Sequence, residues 1–183
     1  MSLRLIPNLL VFRPADYSET VASYQEALRR SDSPSAFILS RQSLPVINNG
    51  VIDISKGAYI VNIDDFSDNP DIILIGTGSE LSLCLAVSEK LKKDRVTCRV
   101  ISMPCWELFE SQDKAFKESI IPTKIKNRIS VEAGATLGWQ KFIGDNGVSI
   151  GLDDFGASAP GKTVLELSLI HISEPTRPER IGG

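Results

Sequence analysis

Histidine is almost absent: the 183 residues hold one, His171, near the C-terminus. No Ser-His-Asp triad and no histidine-based metal site can be assembled from it. Cysteine is scarce as well. Cys84, Cys98 and Cys105 are odd in number and show no C-x-x-C spacing. This excludes a disulfide framework and a structural zinc site, and it fits a reducing, cytoplasmic setting. Neither sign of charge dominates, with 20 Lys and Arg against 23 Asp and Glu and a net charge of −3. There is no basic excess for nucleic acid and no acidic block for a solvating tail. No apolar run is long enough to cross a membrane. The stretch 5–12 is broken by Pro7 and Asn8, which is not a signal-peptide pattern. The length allows one good-sized core, or one domain and part of another.

What the chain does have is a regular alternation of strands and helices centred on 71–91. Asp71-Ile72-Ile73-Leu74-Ile75 is a short run rich in β-branched residues, as a strand covered on both faces requires. Gly76-Thr77-Gly78-Ser79 turns the chain, and Thr77 with Glu80 reads as a capping box. A helix follows over 79–93, anchored by Leu81, Cys84, Leu85 and Leu91. Strands are expected next at 96–103, 128–132 and 148–152. Helical segments fall between them, within 106–120 and at 137–143, and a last helix starts at Pro160. This pattern predicts an α/β fold: an open, mostly parallel sheet with helices on both faces.

A partial βαβ unit precedes it. A strand at 9–13 closes at Pro14; Asp16 caps a helix, with Glu19 completing the box and Val21, Tyr24, Ala27 and Leu28 as its apolar face. A second strand, parallel to the first, spans 35–40. The unit is too small to stand alone. Residues 48–57 read as a linker with the turn Asn48-Asn49-Gly50, and 57–62 as a short edge strand. The division is therefore 1–47, linker 48–57, α/β domain 58–167, and a tail 168–183. In that tail 173–180 holds two prolines and no apolar residue, and is expected to be disordered.

Ligands of open parallel sheets bind outside the carboxyl ends of the strands. Segments 76–79, 103–107, 132–136 and 153–158 should gather there. The Gly76 turn could hold an anion on backbone N–H groups, but it lacks the Lys-Ser/Thr pair of a P-loop and the third glycine of G-x-G-x-x-G, and a purely structural turn explains it as well. Glu107 and Glu110 could act as acid and base, or simply complement a helix dipole. Glu132, at a strand end, is a candidate buried acid, or a carboxylate satisfying neighbouring backbone N–H groups. Cys84 reads as core packing. Asp153-Asp154 is a weak metal signal. Arg41 follows the second strand, flanked by Ser40 and Gln42. A planar guanidinium at a sheet's carboxyl edge suits capture of a phosphate or carboxylate; the bland alternative is a surface arginine.

Taken together, these motifs resemble transketolases over nearly the whole chain to about Leu167. The stretches involved are Ser2-Leu3-Arg4-x-Ile6-Pro7-Asn8-Leu9, Arg13-Pro14-Ala15-Asp16, and Leu39-Ser40-Arg41-Gln42-x-Leu44-Pro45, with Ser43 where asparagine is usual. Further on, Ile75-Gly76-Thr77-Gly78-Ser79-Glu80, Ser102-Met103-Pro104-x-Trp106-Glu107, Val131-Glu132-Ala133-Gly134 and Asp154-Phe155-Gly156-Ala157-Ser158-Ala159-Pro160 follow in the family's order.

The resemblance implies the end of a pyrimidine-binding domain joined to a C-terminal domain. It implies transfer of a two-carbon ketol unit between sugar phosphates, with thiamine diphosphate and a divalent metal such as magnesium in a homodimeric full-length enzyme. Of the family's functional residues only Arg41 maps here, as a clamp on the sugar's terminal phosphate. No catalytic, cofactor-binding or metal-binding residue maps, and neither cofactor is expected to bind this chain alone. No nucleic acid or membrane partner is expected. The stretch from Ser168 departs from the family's ending, so the chain reads as a fragment, inactive alone. Two other readings stay open: a separate interaction or small-anion-binding module using the Gly76 edge, or part of another thiamine enzyme, such as a deoxyxylulose-phosphate synthase or a 2-oxo acid dehydrogenase β-subunit.

Overall fold

The computed structural model describes residues 2–47, 52–61 and 69–153. Asp154, the helix expected from Pro160, the tail from Ser168 and residues 48–51 of the expected linker lie outside the described residues.

The N-terminal unit is β1 (Leu10–Phe12), α1 (Tyr17–Arg29) and β2 (Ser35–Phe37), with β1 and β2 parallel and Leu10 opposite Ser35. Asp16 caps α1 as expected: its Oδ1 accepts the Glu19 N–H at 2.8 Å. The strand-helix-strand order and the parallel pairing are also as expected, but two expectations for this unit need correction. Helix α1 buries Glu19, Ala22, Ser23 and Glu26, while Val21, Tyr24 and Leu28 are exposed. The periodicity found an apolar stripe, but only its Tyr24, stacked on Phe37 of β2 at 4.2 Å between ring centroids, and its Ala27 touch the rest of the described chain closely. Strand β2 also stops at Phe37 instead of residue 40. The Ile38 N–H still reaches Phe12 O at 2.9 Å, but the next ladder position of the first strand is Pro14, which has no N–H to donate, and Arg13 between them faces the other edge. Arg13 N donates to Pro104 O at 2.9 Å, and Arg13 O accepts from Gly78 N at 3.0 Å. Beyond Ile38, β2 has no ladder partner left in β1.

The second sheet has the order β3-β5-β4-β6-β7, where the strands are β3 (Tyr59–Ile60), β4 (Ile72–Gly76), β5 (Cys98–Ser102), β6 (Arg128–Val131) and β7 (Val148–Ile150). All its pairings are parallel except that of the edge strand β3 with β5. The α/β sheet read from the sequence is thus the observed one. Helix α2 (Leu81–Lys93) covers one face, where Leu81 and Cys84 pack on Leu74, Val100 and Val131. The other face carries α3 (Trp106–Glu110), α4 (Lys114–Ile120) and α5 (Gln140–Ile143). Their Trp106, Phe109, Phe142 and Ile143 cover Ile73, Ile75 and Ile101. Alternate residues of β4 point to opposite covered faces, which is why its sequence is apolar without a break.

The turn after β4 departs from the expected capping box. Thr77 makes no side-chain cap, and Gly78–Glu80 forms a 3-10 turn before α2. Thr77 Oγ1 is 3.5 Å from Arg13 O, and Glu80 Oε2 accepts the Ala133 N–H at 2.9 Å, on the loop after β6. Gly78 is required here by its φ of +63°, in the left-handed region that side chains disfavour.

Candidate functional site

The carboxyl edge of the five-stranded sheet brings together the loops after β4, β5 and β6, as expected. The N-terminal unit fills that edge. The backbone of Arg13 lies between Pro104 and Gly78, and its guanidinium donates to Glu132 Oε1 at 2.9 Å. Arg4 donates to Glu132 Oε2 at 2.9 Å, and its guanidinium carbon stands 3.7 Å from the Trp106 ring centroid. The Trp139 indole N–H adds a third bond to Glu132 Oε2, at 2.7 Å. Glu80 lies 3.6 Å from Arg13. Glu132 is 3% exposed, so it is buried as expected, but its partners are two arginines and an indole, not neighbouring backbone N–H groups. A buried carboxylate is tolerated when paired and hydrogen-bonded in this way.

A second polar contact crosses the same junction. Glu19 of α1 is fully buried. Its Oε1 accepts from Tyr59 at 2.9 Å and from the Ser102 hydroxyl, and its Oε2 accepts the Ala15 N–H at 2.6 Å. Burial holds its carboxyl above the usual range, partly offset by these bonds. Glu107, considered for acid–base work, accepts the Val11 N–H at 3.1 Å and so ties β1 to α3. Glu110 pairs with Lys141. Asp153 accepts from the Thr136 N–H and hydroxyl, both at 2.7 Å. The three cysteines are buried thiols outside any disulfide; burial pushes the Cys84 thiol up to about 12 and Cys105 also upward, which suits packing rather than nucleophilic use.

Arg41 is exposed, in a bend just past the end of β2. The loop that carries it, 38–47, is held at both ends by the stretch before α1. The Ile38 N–H bonds Phe12 O, and the Ile47 N–H bonds Asp16 Oδ2 at 2.9 Å. Between those ends Ser40 Oγ accepts the Gln42 N–H at 3.0 Å. Arg41 is thus placed on a tethered loop at the carboxyl edge of the small sheet, whereas Glu107, Glu132 and the Gly76 turn meet at the junction of the two sheets. A cleft of about 330 Å³ by Arg128 at the start of β6 is separate from both. Its Lys117 and Lys141 are already engaged with Glu110.

Arg4, Arg13 and Glu19 carry the junction, and single-residue inspection does not find them. Arg4 and Arg13 stand within stretches that carry the resemblance, and Asp16-x-x-Glu19 sits directly after Arg13-Pro14, so that charges crowd a segment between two strands.

Comparison with known proteins gives the family. The transketolase-like TK C-terminal domain matches residues 57–170, and the transketolase pyrimidine binding domain matches residues 1–46. The chloroplastic transketolase of Solanum tuberosum is 48% identical over 90% of this chain and 22% of its own length. The transketolase of Nostoc sp. is 47% identical over 90% of this chain and 25% of its own length. A transketolase structure from Pichia stipitis, in complex with sedoheptulose 7-phosphate, superposes with a TM-score of 0.82 at 34% identity, over 91% of this chain and 24% of that one. The chain spans about a quarter of the length of these relatives. By its two matched domains and the order of its motifs, the chain belongs to the transketolase family.

Proposed function

We propose that this chain serves ketol transfer between sugar phosphates as the part of a transketolase that bears the substrate's phosphate clamp, with Arg41 as that clamp. The observation that supports the reading is the placement of Arg41: exposed, at a strand's carboxyl edge, on a loop tethered at both ends. A guanidinium there offers paired N–H donors to a terminal phosphate. The division at residues 47 and 57, the homodimeric assembly of the whole enzyme and a cytoplasmic setting belong to the same proposal. Among the described residues no helix is long and apolar enough to cross a membrane, and three buried cysteines outside any disulfide suit a reducing compartment.

Bound in the whole enzyme, thiamine diphosphate with a divalent metal would supply the carbanion chemistry. The residues described do not fit that pair. No group of three His, Cys, Asp or Glu among them could hold a metal, and the Gly78 N–H of the glycine turn is taken by Arg13 O. The same bond weighs against the small-anion module at that turn. The role assigned to this chain is therefore binding and orientation of substrate.

Titration with ribose 5-phosphate, followed by amide shifts, tests the reading. The expected shifts centre on 38–47, and Arg41→Ala weakens binding at least about tenfold, as for loss of a charge-assisted bond. Shifts centred on 76–80 and untouched by Arg41→Ala would overturn it. With thiamine diphosphate, magnesium, xylulose 5-phosphate and ribose 5-phosphate added, the 183 residues alone are expected to form no sedoheptulose 7-phosphate.

A further inference from the structure

Asp16 is 4% exposed and divides its two carboxylate oxygens between two tasks. Oδ1 caps α1 through the Glu19 N–H at 2.8 Å, and Oδ2 takes the Ile47 N–H at 2.9 Å, across a sequence separation of 31 residues. An N-cap needs only the first of these bonds, which asparagine or serine supplies as well. The second fixes the far end of the loop that carries Arg41. The near end is fixed by Ile38 N–H to Phe12 O at 2.9 Å. Both anchor points lie within the short stretch from Phe12 to Asp16. That stretch is itself bound to the five-stranded sheet: Arg13 through Pro104, Gly78 and Glu132, and the first turn of α1 through Glu19 to Tyr59 and Ser102.

We infer that Asp16 is a positioning residue for Arg41, and that the five-stranded sheet serves the substrate site by holding the base on which the Arg41 loop stands. The inference rests on the reading of Arg41 as the phosphate clamp. Its physical basis is preorganisation. A guanidinium on an exposed loop loses freedom when it grips a phosphate, and a loop already closed by a carboxylate tether has less to lose. The tether bonds to a charged acceptor, so its removal should be visible at a single amide.

The test uses the chain with Asp16→Asn and Asp16→Ser, both of which keep the cap, beside Asp16→Ala, Arg41→Ala and the double variant Asp16→Asn/Arg41→Ala. Amide exchange is read at Ile47 and at Glu19, and ribose 5-phosphate affinity by titration. In the Asn and Ser variants Ile47 should exchange about tenfold faster or more while Glu19 keeps its protection, in line with loss of one charge-assisted bond. Sugar-phosphate affinity should fall about threefold or more in Asp16→Asn, and the same substitution should cost nothing further once Arg41 is alanine. That coupling separates positioning from a structural role, which would act alike in both backgrounds. Unchanged Ile47 exchange in both cap-preserving variants would overturn the proposal. So would faster exchange with full affinity in Asp16→Asn while Arg41→Ala abolishes binding. If Arg41→Ala itself leaves affinity intact, the clamp reading falls and the positioning role falls with it; that outcome is recognised from the Arg41 variant alone.

Discussion

Helices α1 and α2 have the same length, 13 residues, and opposite interiors. Helix α2 turns Leu81 and Cys84 inward and carries Lys90, Lys92 and Lys93 in its last turn, where cations complement the helix dipole. Helix α1 turns Glu19, Ser23 and Glu26 inward and leaves Leu28 86% exposed. The contrast extends to the two sheets. The five-stranded sheet is sandwiched between two apolar layers and is held together by packing. The β1-β2 unit is held onto it by a smaller apolar patch, where Leu10, Phe12 and Ala22 meet Cys105 and Leu108, and by directed polar contacts from Arg4, Arg13 and Glu19. Packing tolerates modest changes of shape, but a buried ionic junction fails as a unit when one member is removed. The two regions should therefore break differently.

The largest expected effect is on the packed side. Trp106 makes edge contacts with Trp139 at 4.6 Å and Phe142 at 5.0 Å between ring centroids, beneath Arg4. Trp106→Ala should cost about 3–5 kcal/mol. Because this residue belongs to the sheet's core and also meets Arg4, urea denaturation should show the loss in both regions together. Glu132→Gln should come next. It keeps the shape but leaves Arg4 and Arg13 facing a neutral amide, at a cost of about 3 kcal/mol. Here the damage should be local. Hydrogen exchange should quicken first in 2–16, while the amides of β4 and β5 keep their protection up to global unfolding. If protection falls equally in both regions, the two-region contrast is wrong.

A third prediction concerns pH. Burial raises the Glu19 carboxyl above its ordinary value of 4.5, against the lowering influence of Ser102, Ala15 and Tyr59; the neighbouring Asp16 raises it further. Between 4.5 and its folded value the native state holds the proton more tightly than the unfolded chain, so stability falls as pH rises through that window. The surface carboxylates of Asp71 and Asp153 are lowered by their threonine bonds and act the other way. Their contribution is present above 3.8 and is lost as pH falls through their folded values. The windows lie on opposite sides of the ordinary carboxyl range. The stability difference between Glu19→Gln and the parent should therefore shift in favour of the variant as pH rises from 4.5, and a flat difference from pH 4.5 to 7.5 would remove Glu19 from the account.

How far the sequence revealed these differences depended on distance along the chain. The run 71–75 announces a strand because it is apolar and rich in β-branched residues, and the Asp16 cap is legible because its partner is Glu19, three residues on. Glu80 looked equally local, yet its Oε2 goes to Ala133, 53 residues away. The pairs Arg13–Glu132 and Arg4–Glu132 are separated by 119 and 128 residues, and no local pattern encodes them. Periodicity placed Val21, Tyr24 and Leu28 on one stripe of α1. It does not say which surface that stripe meets, and a short unit has too little sheet to cover both sides of a helix. Arg41 could be singled out from its motif, but the tether from Asp16 to Ile47 that fixes its loop could not.

The smallest expected effect tests the exposed side of the same helix. Leu28→Ser removes a large apolar side chain that is 86% exposed, so the fold should lose little packing. Serine is a slightly poorer helix former than leucine, and the whole change should stay within about 0.5 kcal/mol. Ala22, about 1.7 turns earlier on the inward side, packs with Phe12, Ile54 and Leu108. There Ala22→Leu should cost about 1–3 kcal/mol by overpacking, although it makes the helix more apolar and does not lower its helix propensity appreciably. Paired thermal melts of the two variants therefore oppose hydrophobicity to location. If Leu28→Ser proves the more damaging, α1 meets the chain through its apolar stripe after all, and the inward placement of Glu19, Ser23 and Glu26 cannot stand.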